Sequence, residues 1–215
     1  MNSVRLRHYL KPLLPVIIAM YTLSPAIAAA GDPSGAAPVP AESGVSTAHD
    51  FDFLVGRWIV QHRRLKHRLA HSNEWETFSG TCEARTILDG QANVDDNVLE
   101  LPGGTYRAAT LRAFDPSKET WSIWWLDARH PHQLDPPVVG AFHNGVGTFF
   151  ANDVWNGRPI MVRFIWSDIT ANSARWQQAF SEDAGKSWET NWVMDFKRAV
   201  PSADTQTVSS HVERN

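Results

Sequence analysis

The stretch Trp188-Glu189-Thr190-Asn191-Trp192-Val193-Met194-Asp195-Phe196-Lys197-Arg198 carries the clearest structural signal in this chain of 215 residues. Side chains of a β-strand point alternately to its two faces. The segment therefore predicts a strand with one buried face, formed by Trp188, Thr190, Trp192, Met194 and Phe196. The opposite face is polar except for Val193. One buried face and one solvent-exposed face are typical of an antiparallel sheet.

Similar short stretches, rich in β-forming residues, fill the chain upstream of this strand. Turn signals such as Asp89-Gly90, Asn144-Gly145 and Asn156-Gly157 separate them. No stretch shows a sustained helical period, and many short strands at regular spacing favour a sandwich or a barrel. We predict strands near residues 56–65, 75–88, 91–100, 105–114, 120–127, 138–142, 148–155, 160–167, 174–181 and 188–198.

The composition excludes several classes of protein. Hydrophobic residues make up 43% of the chain and charged residues 20%, which is typical of a globular domain and not of a disordered one. The single cysteine, Cys82, excludes a disulfide within the chain and any zinc site that needs several cysteines. A formal net charge of −3 argues against a general nucleic-acid binder. Tryptophan is abundant, with 10 residues against 3 tyrosines, so aromatic packing is expected to stabilise the core.

The N-terminal segment has the features of an export signal. Arg5, Arg7 and Lys11 precede an apolar run over residues 13–23, and Ala26-Ile27-Ala28 fits a cleavage site. An uncleaved anchor is the alternative, but the run is shorter than the roughly 20 residues of a membrane span. Removing residues 1–28 takes away three cations and no acid, which changes the net charge from −3 to −6.

These features predict four segments in an exported protein that is periplasmic or secreted and has no membrane contact after cleavage. We expect a signal peptide over residues 1–28 and a flexible linker over 29–48, which is rich in Ala, Pro, Gly and Ser. The folded domain is predicted over 49–199, and a disordered tail over 200–215. The mature protein is expected to be a monomer or a homodimer.

The two ends of the domain carry a family resemblance. The segment Phe51-Asp52-Phe53-Leu54-Val55 leads into Gly56-Arg57-Trp58, and Arg198 ends the last strand. This arrangement resembles the lipocalin or calycin signature, which implies that Trp58 packs under Arg198 at the closed end of a barrel. Residues 50–199 are also similar to a lipocalin-like bacterial domain family of unknown function, through the stretches FDFLVGRW, TILDG, AFDPSKETWSIWWLD and SEDAGKSWETNWVMDFKR.

The resemblance implies an all-β fold, an antiparallel up-and-down β-barrel of about ten strands, and supplies no reaction. Gly56, Trp58 and Arg198 are then structural residues. The motif Ser181-x-Asp183-x-Gly185-x-Ser187-Trp188 is similar to the Asp-box of sialidase-like propellers, but a propeller needs several four-stranded blades. We interpret it as a stiff hairpin turn in which Asp183 and Gly185 are structural.

The alternation of inward- and outward-pointing side chains along the strands of a barrel predicts where a site would lie. If Trp58 points inward at the closed end, His62 and Arg64 point inward nearer the mouth. The mouth candidates are His62, Arg64, Tyr106, Trp125, Asp127, His130, His132, Trp155 and Trp188. The predicted interior is mostly apolar, formed by Val94, Val98, Trp121, Ile123, Phe164, Trp166, Trp176, Phe180, Trp192 and Met194. Asp96, Arg112 and Gln178 would be its polar members, with Asp96 and Arg112 as an ion pair.

An apolar cavity with a few polar groups is the usual form of a small-molecule site. We therefore expect the barrel to bind a small, largely apolar ligand, although its own side chains could also fill it. The ligand-binding candidates are His62, Arg64, Asp96, Tyr106, Arg112, Trp125, Asp127, Trp166, Gln178, Trp188 and Trp192.

The sequence leaves three further hypotheses open, of which the first two use titratable residues. An enzyme (isomerase, lyase or hydrolase) would use Asp96 or His62 as a base and Arg112 to stabilise an anion. The basic run over residues 63–68 would steer an anionic ligand to the mouth, or it is a solvated rim. The barrel could also be a surface-acting protein with a filled core.

Histidines offer weak candidates for a metal or haem. His130-Pro131-His132, flanked by Asp127 and Asp135, has ligand types suitable for zinc. A haem held by one histidine would use His62, His130 or His143. No spacing singles out a site of either kind, so the sequence implies no cofactor.

Overall fold

The computed structural model describes residues 45–200. The predicted signal peptide, most of the predicted linker and the predicted tail after Val200 lie outside these residues. Ser46 and Thr47 already belong to the packed body. The Ser46 hydroxyl accepts the amide of Phe142 (3.2 Å), and the carbonyl of Thr47 accepts the indole N–H of Trp121 (3.0 Å).

Ten strands form one closed antiparallel barrel, in which each strand pairs with its sequence neighbours and the first pairs with the last. The predicted all-β barrel of about ten strands is therefore confirmed. The strands are β1 (Gly56–Leu65), β2 (Trp75–Ile87), β3 (Ala92–Leu101), β4 (Gly104–Asp115), β5 (Thr120–Asp127), β6 (Val138–His143), β7 (Val146–Trp155), β8 (Arg158–Ser167), β9 (Ser173–Ser181) and β10 (Glu189–Arg198).

Helical structure within residues 45–200 consists of two single 3-10 turns, Asp52–Leu54 and Leu88–Gly90. None of this part of the chain forms a helix long and apolar enough to span a membrane.

The barrel is sealed at one end by the first and last residues of the sheet. Trp58 lies opposite Arg198 across the β1–β10 closure, and the guanidinium of Arg198 lies 3.8 Å from the centre of the indole. The same guanidinium donates to the carbonyls of Val55 (2.6 Å) and Phe53 (2.7 Å). This contact has the geometry that the resemblance implies, and it fixes the chain entering β1 to the chain leaving β10.

Phe51 fills the lumen at the sealed end. Its ring centre lies 5.0 Å from those of Trp121 and Phe142 in edge-on contacts, and 5.9 Å from those of Phe149 and Trp166. Edge-on aromatic contacts at such distances are favourable beyond the area that they bury. The half of the barrel near Phe51 is therefore a packed core.

The end of the barrel opposite Phe51 carries the connectors β1–β2, β3–β4, β5–β6, β7–β8 and β9–β10. The two longest of them span residues 66–74 and 128–137, as the parity argument predicted. We call this end the mouth.

Strand β10 contains an irregularity that changes the predicted parity at its start. The pairing with β9 shifts between Thr190 and Trp192, so Asn191 is an extra residue. A bulge of this kind reverses the alternation of the residues before it. Trp192, Met194 and Phe196 point inward as predicted, but the inward placement predicted for Trp188 and Thr190 is wrong.

Strand β3 also has the opposite parity to the prediction. Its inward side chains are polar near the sealed end, namely Asn93, Asp95 and Asn97, which lie opposite inward residues of β4. Val94, Val98 and Asp96 point outward, so their predicted inward placement is wrong. The valines face outward because the lumen holds a polar network here.

Candidate ligand-binding cavity

A cavity of about 330 Å³ occupies the half of the lumen between Phe51 and the mouth. Its size falls within the range of small-molecule sites. Charged, polar and aliphatic residues line it together with eight aromatic side chains from five strands: Trp125, Trp155, Phe164, Trp166, Trp176, Phe180, Trp192 and Phe196. The tryptophans therefore fill the lumen only in part.

The structure brings eight of the eleven predicted ligand-binding residues into the wall of this cavity. They are Arg64, Tyr106, Arg112, Trp125, Asp127, Trp166, Gln178 and Trp192. The other three, His62, Asp96 and Trp188, lie elsewhere. Gln178 donates its amide to Asn191 (2.9 Å), which ties this side chain to β10.

The floor of the cavity is a buried ion pair between β3 and β4. Arg112 lies 2.7 Å from Asp95, and the two side chains are 5% and 1% exposed. Asn93 accepts a second bond from Arg112 (3.0 Å), and the amide of Thr110 donates to Asp95 (3.0 Å). The guanidinium also lies 5.2 Å from the centre of the Phe51 ring, so it separates the packed end from the cavity.

Asp95 replaces Asp96 as the partner of Arg112. Asp96 points outward and pairs with Arg107 on the surface, where the two side chains are 55% and 61% exposed. The predicted Asp96–Arg112 pair is therefore wrong by one residue. The short connector between β3 and β4 fixes the register of the two strands, since it pairs Leu101 with Gly104. In that register Asp96 lies opposite Ala109, which points outward, so the connector indicates that Asp96 points outward too.

His62 points inward but does not line the cavity. Its ring stacks on Phe78 (4.6 Å between centres), and Nδ1 accepts the indole N–H of Trp192 (3.3 Å). Burial, with a smaller contribution from the charge of Arg64, lowers the pKa of His62 from 6.5 to about 4. The imidazole is therefore neutral at neutral pH and lies behind Trp192.

The β1–β2 side of the mouth is basic. Arg64 pairs with Glu76 (2.6 Å), and both side chains are largely buried. Arg68, from the β1–β2 connector, lies 5.2 Å from the centre of Trp155 on the opposite wall. Burial, and then the charge of Arg64, lower the pKa of Arg68 to about 10, so it remains cationic at neutral pH. The predicted ligand-binding set omitted Arg68, although the basic run over residues 63–68 pointed to this region.

The β5–β7 side of the mouth is acidic. Asp127 pairs with Arg129 (2.5 Å), whose guanidinium lies 4.0 Å from the centre of the Tyr106 ring. Asp135 and Asp153 also line the cavity. Partial burial and the charges of Asp153 and Asp127 raise the pKa of Asp135. The mouth therefore has a basic side and an acidic side.

The weak metal and haem candidates do not contact the cavity. His130 and His132 are exposed in the β5–β6 connector, and His143 is exposed at the end of β6. Over residues 45–200, the structure contains no group of three or more His, Cys, Asp or Glu side chains that could hold a metal ion.

The Asp-box forms the predicted stiff turn on the outside of the barrel. Asp183 accepts the amide (2.9 Å) and hydroxyl (2.6 Å) of Ser187, and the Ser181 hydroxyl accepts the amide of Gly185 (2.8 Å). These hydrogen bonds lower the pKa of Asp183 well below its usual range. Trp188 leaves this turn and packs outside, 4.4 Å from the guanidinium of Arg163.

The fold and the cavity define a lipocalin- or calycin-like all-β barrel with space in its lumen. No family model and no curated protein matches the chain, so the narrower resemblance to a bacterial domain family stays a prediction.

Among solved structures, the chain is similar to the S-type phycobiliprotein lyase CPES from Guillardia theta. The TM-score is 0.47 and the identity 12%, over 71% of this chain and 92% of that one. It is also similar to EF1p2_mFAP2b bound to DFHBI, with a TM-score of 0.40 and 8% identity over 72% of this chain and 100% of that one.

Proposed function

We propose that this barrel binds a small, largely apolar molecule in its lumen. The observation that carries the proposal is the aromatic-walled cavity of about 330 Å³ between the Phe51 layer and the mouth. Flat aromatic walls offer a large apolar contact area to a ligand, and removing that area from water favours binding. The Asp95–Arg112 pair at the floor supplies a limited number of polar contacts that orient the ligand.

The positions of Asp96 and His62 favour binding over the acid–base hypothesis that uses one of them as a base. That hypothesis offers Asp96 or His62 as the base. Asp96 lies on the outer surface with Arg107, and His62 is hydrogen-bonded behind Trp192. Inside the cavity, Asp95 is paired with Arg112. A general base must come within hydrogen-bond reach of its substrate, and neither proposed base is presented to the cavity.

A pair of variants on one strand tests the proposal. Ala151 lines the cavity from β7, whereas its neighbour Asn152 is exposed on the outer face. Ala151→Trp places an indole in the lumen and should abolish the fluorescence enhancement of the neutral probe N-phenyl-1-naphthylamine. Asn152→Trp adds the same indole outside and should leave the enhancement at the wild-type level. Absence of binding to the wild-type protein, or equal binding by both variants, would refute lumenal binding.

We also propose that the protein is exported and then acts away from the cytoplasm. The support is the basic, apolar and small-residue pattern of residues 1–28. Expression of the full chain in a Gram-negative host should give a periplasmic or secreted product that lacks residues 1–28. An intact mass for the whole chain in the cytoplasmic fraction would contradict export.

A further inference from the structure

Four arginines line the cavity, and three of them are neutralised by a carboxylate. Arg64 pairs with Glu76, Arg112 with Asp95, and Arg129 with Asp127. Arg68 differs from them, because no carboxylate of residues 45–200 lies within salt-bridge distance of its guanidinium. The nearby Glu189 uses a side-chain oxygen to accept the amide of Leu69 (2.7 Å).

Three aromatic rings lie close to the guanidinium of Arg68. Its guanidinium lies 5.2 Å from the centre of Trp155, and 5.9 Å from the centres of Phe180 and Trp192. Cation–π contacts compensate part of the lost hydration, but they give the N–H groups no acceptor. The indole N–H of Trp155 is also buried, and it has no hydrogen-bond partner among the described residues. The mouth therefore brings together a half-buried guanidinium without a carboxylate partner and a buried indole N–H without an acceptor.

We propose that the lumenal ligand is an organic anion whose anionic group binds Arg68 while its apolar body fills the aromatic cavity. This inference rests on the proposed function and names the class of ligand. A carboxylate or sulfonate supplies the charge and the acceptor oxygens that the guanidinium lacks. Asp135 and Asp153 on the acidic side of the mouth repel a second anionic group there, so a single terminal charge fits best.

Two dyes with the same ring system test this assignment. 8-Anilinonaphthalene-1-sulfonate carries a sulfonate, and N-phenyl-1-naphthylamine is its neutral counterpart. Arg68→Met keeps an apolar stem and removes the charge. A hydrogen bond to a charged group contributes enough that the sulfonate dye should bind about 10- to 100-fold more weakly. The neutral dye should keep its dissociation constant within about twofold.

Arg63 provides the matched control. It is exposed on the outer face of β1, and Arg63→Met changes the net charge by the same amount. This variant should leave the dissociation constants of both dyes unchanged. Arg68→Gln is a second neutral variant in case Arg68→Met does not fold, and it should show the same selective loss.

Each outcome decides between the two proposals. If Arg68→Met weakens both dyes equally or neither, Arg68 is not an anion site and the inference is overturned, while lumenal binding stands. A wild-type protein that binds the neutral dye but not the sulfonate also overturns the inference. If Arg63→Met weakens binding of the sulfonate dye as much as Arg68→Met does, the effect comes from the net charge of the protein, and the inference is again overturned. Binding of neither dye to the wild-type protein refutes the proposed function itself.

Discussion

Replacing Asp95 by Asn tests the buried pair that forms the floor of the cavity. Asp95→Asn keeps the shape of the side chain and removes its charge, so Arg112 stays in place without a counter-ion. Asn97 and the amide of Thr110 lose a charged acceptor at the same time. The adjacent substitution Asp96→Asn is the matched control, since it removes the same charge from the outer face of the same strand.

The expected cost follows from the burial of each pair. The side chains of Arg112 and Asp95 are 5% and 1% exposed, and an unpaired buried charge costs about 3–5 kcal/mol. Arg107 and Asp96 are 61% and 55% exposed, and such surface pairs contribute about 0–1 kcal/mol. One kcal/mol shifts the melting temperature of a domain this size by about 2–4 °C. Asp95→Asn should therefore melt about 6–20 °C lower, and Asp96→Asn less than about 4 °C lower.

Urea unfolding followed by tryptophan fluorescence measures both free energies, and calorimetry measures the melting temperatures. The double variant Asp95→Asn with Arg112→Met should lose less stability than the two single losses combined, because it leaves no unpaired charge in the lumen. Equal destabilisation by Asp95→Asn and Asp96→Asn would refute the assignment of Asp95 as the partner of Arg112.

Three further predictions concern local contacts. Because the pKa of His62 falls from 6.5 to about 4 on folding, the unfolded chain binds the proton first as the pH drops. The contribution of His62 to the free energy of unfolding is complete above pH 6.5 and decreases by about 3 kcal/mol as the pH falls to 4. Urea titrations across this range should show that decrease in the wild-type protein and not in His62→Gln. Gly80→Ala should cost about 1–3 kcal/mol, since its new carbon would collide with a backbone oxygen of β3 and lie 2.8 Å from the His62 ring. Gly103→Ala meets nothing within 4 Å and should be neutral in the same thermal melt; equal losses would contradict the packing at Gly80. Asp183→Ala should speed amide hydrogen exchange at Ser187 without changing dye binding. Unchanged exchange would contradict the hydrogen bonds that Asp183 accepts from Ser187.

Much of the fold follows from local patterns in the sequence. The alternation of Trp192, Met194 and Phe196 predicts β10, and turn signals delimit the other strands closely. The sealed end is what the lipocalin or calycin resemblance implies, because it places Trp58 under Arg198 at the two termini of the sheet. A closed barrel then fixes which side chains of the regular strands point inward.

The errors arise where long-range contacts decide the local arrangement. In β3 the valines face outward, since the inward Asp95 is stabilised by Arg112 on the next strand, and hydrophobicity alone does not report such a pair. The extra residue Asn191 reverses the parity before it, and alternation cannot locate a bulge that depends on pairing with β9. Arg68 reaches Trp155 across the mouth, and this contact depends on the path of a connector that has no periodic pattern.

Nuclear magnetic resonance of the indole N–H groups tests lumenal binding most directly, because the 10 tryptophans are distributed over the inside and the outside of the barrel. Adding N-phenyl-1-naphthylamine to ¹⁵N-labelled protein should shift the indole signals of Trp125, Trp176 and Trp192, which line the cavity. The signals of Trp75 and Trp188, on the outer surface, should stay in place. Shifts confined to the outer indoles, or no shifts at a saturating concentration of the probe, would contradict binding in the lumen.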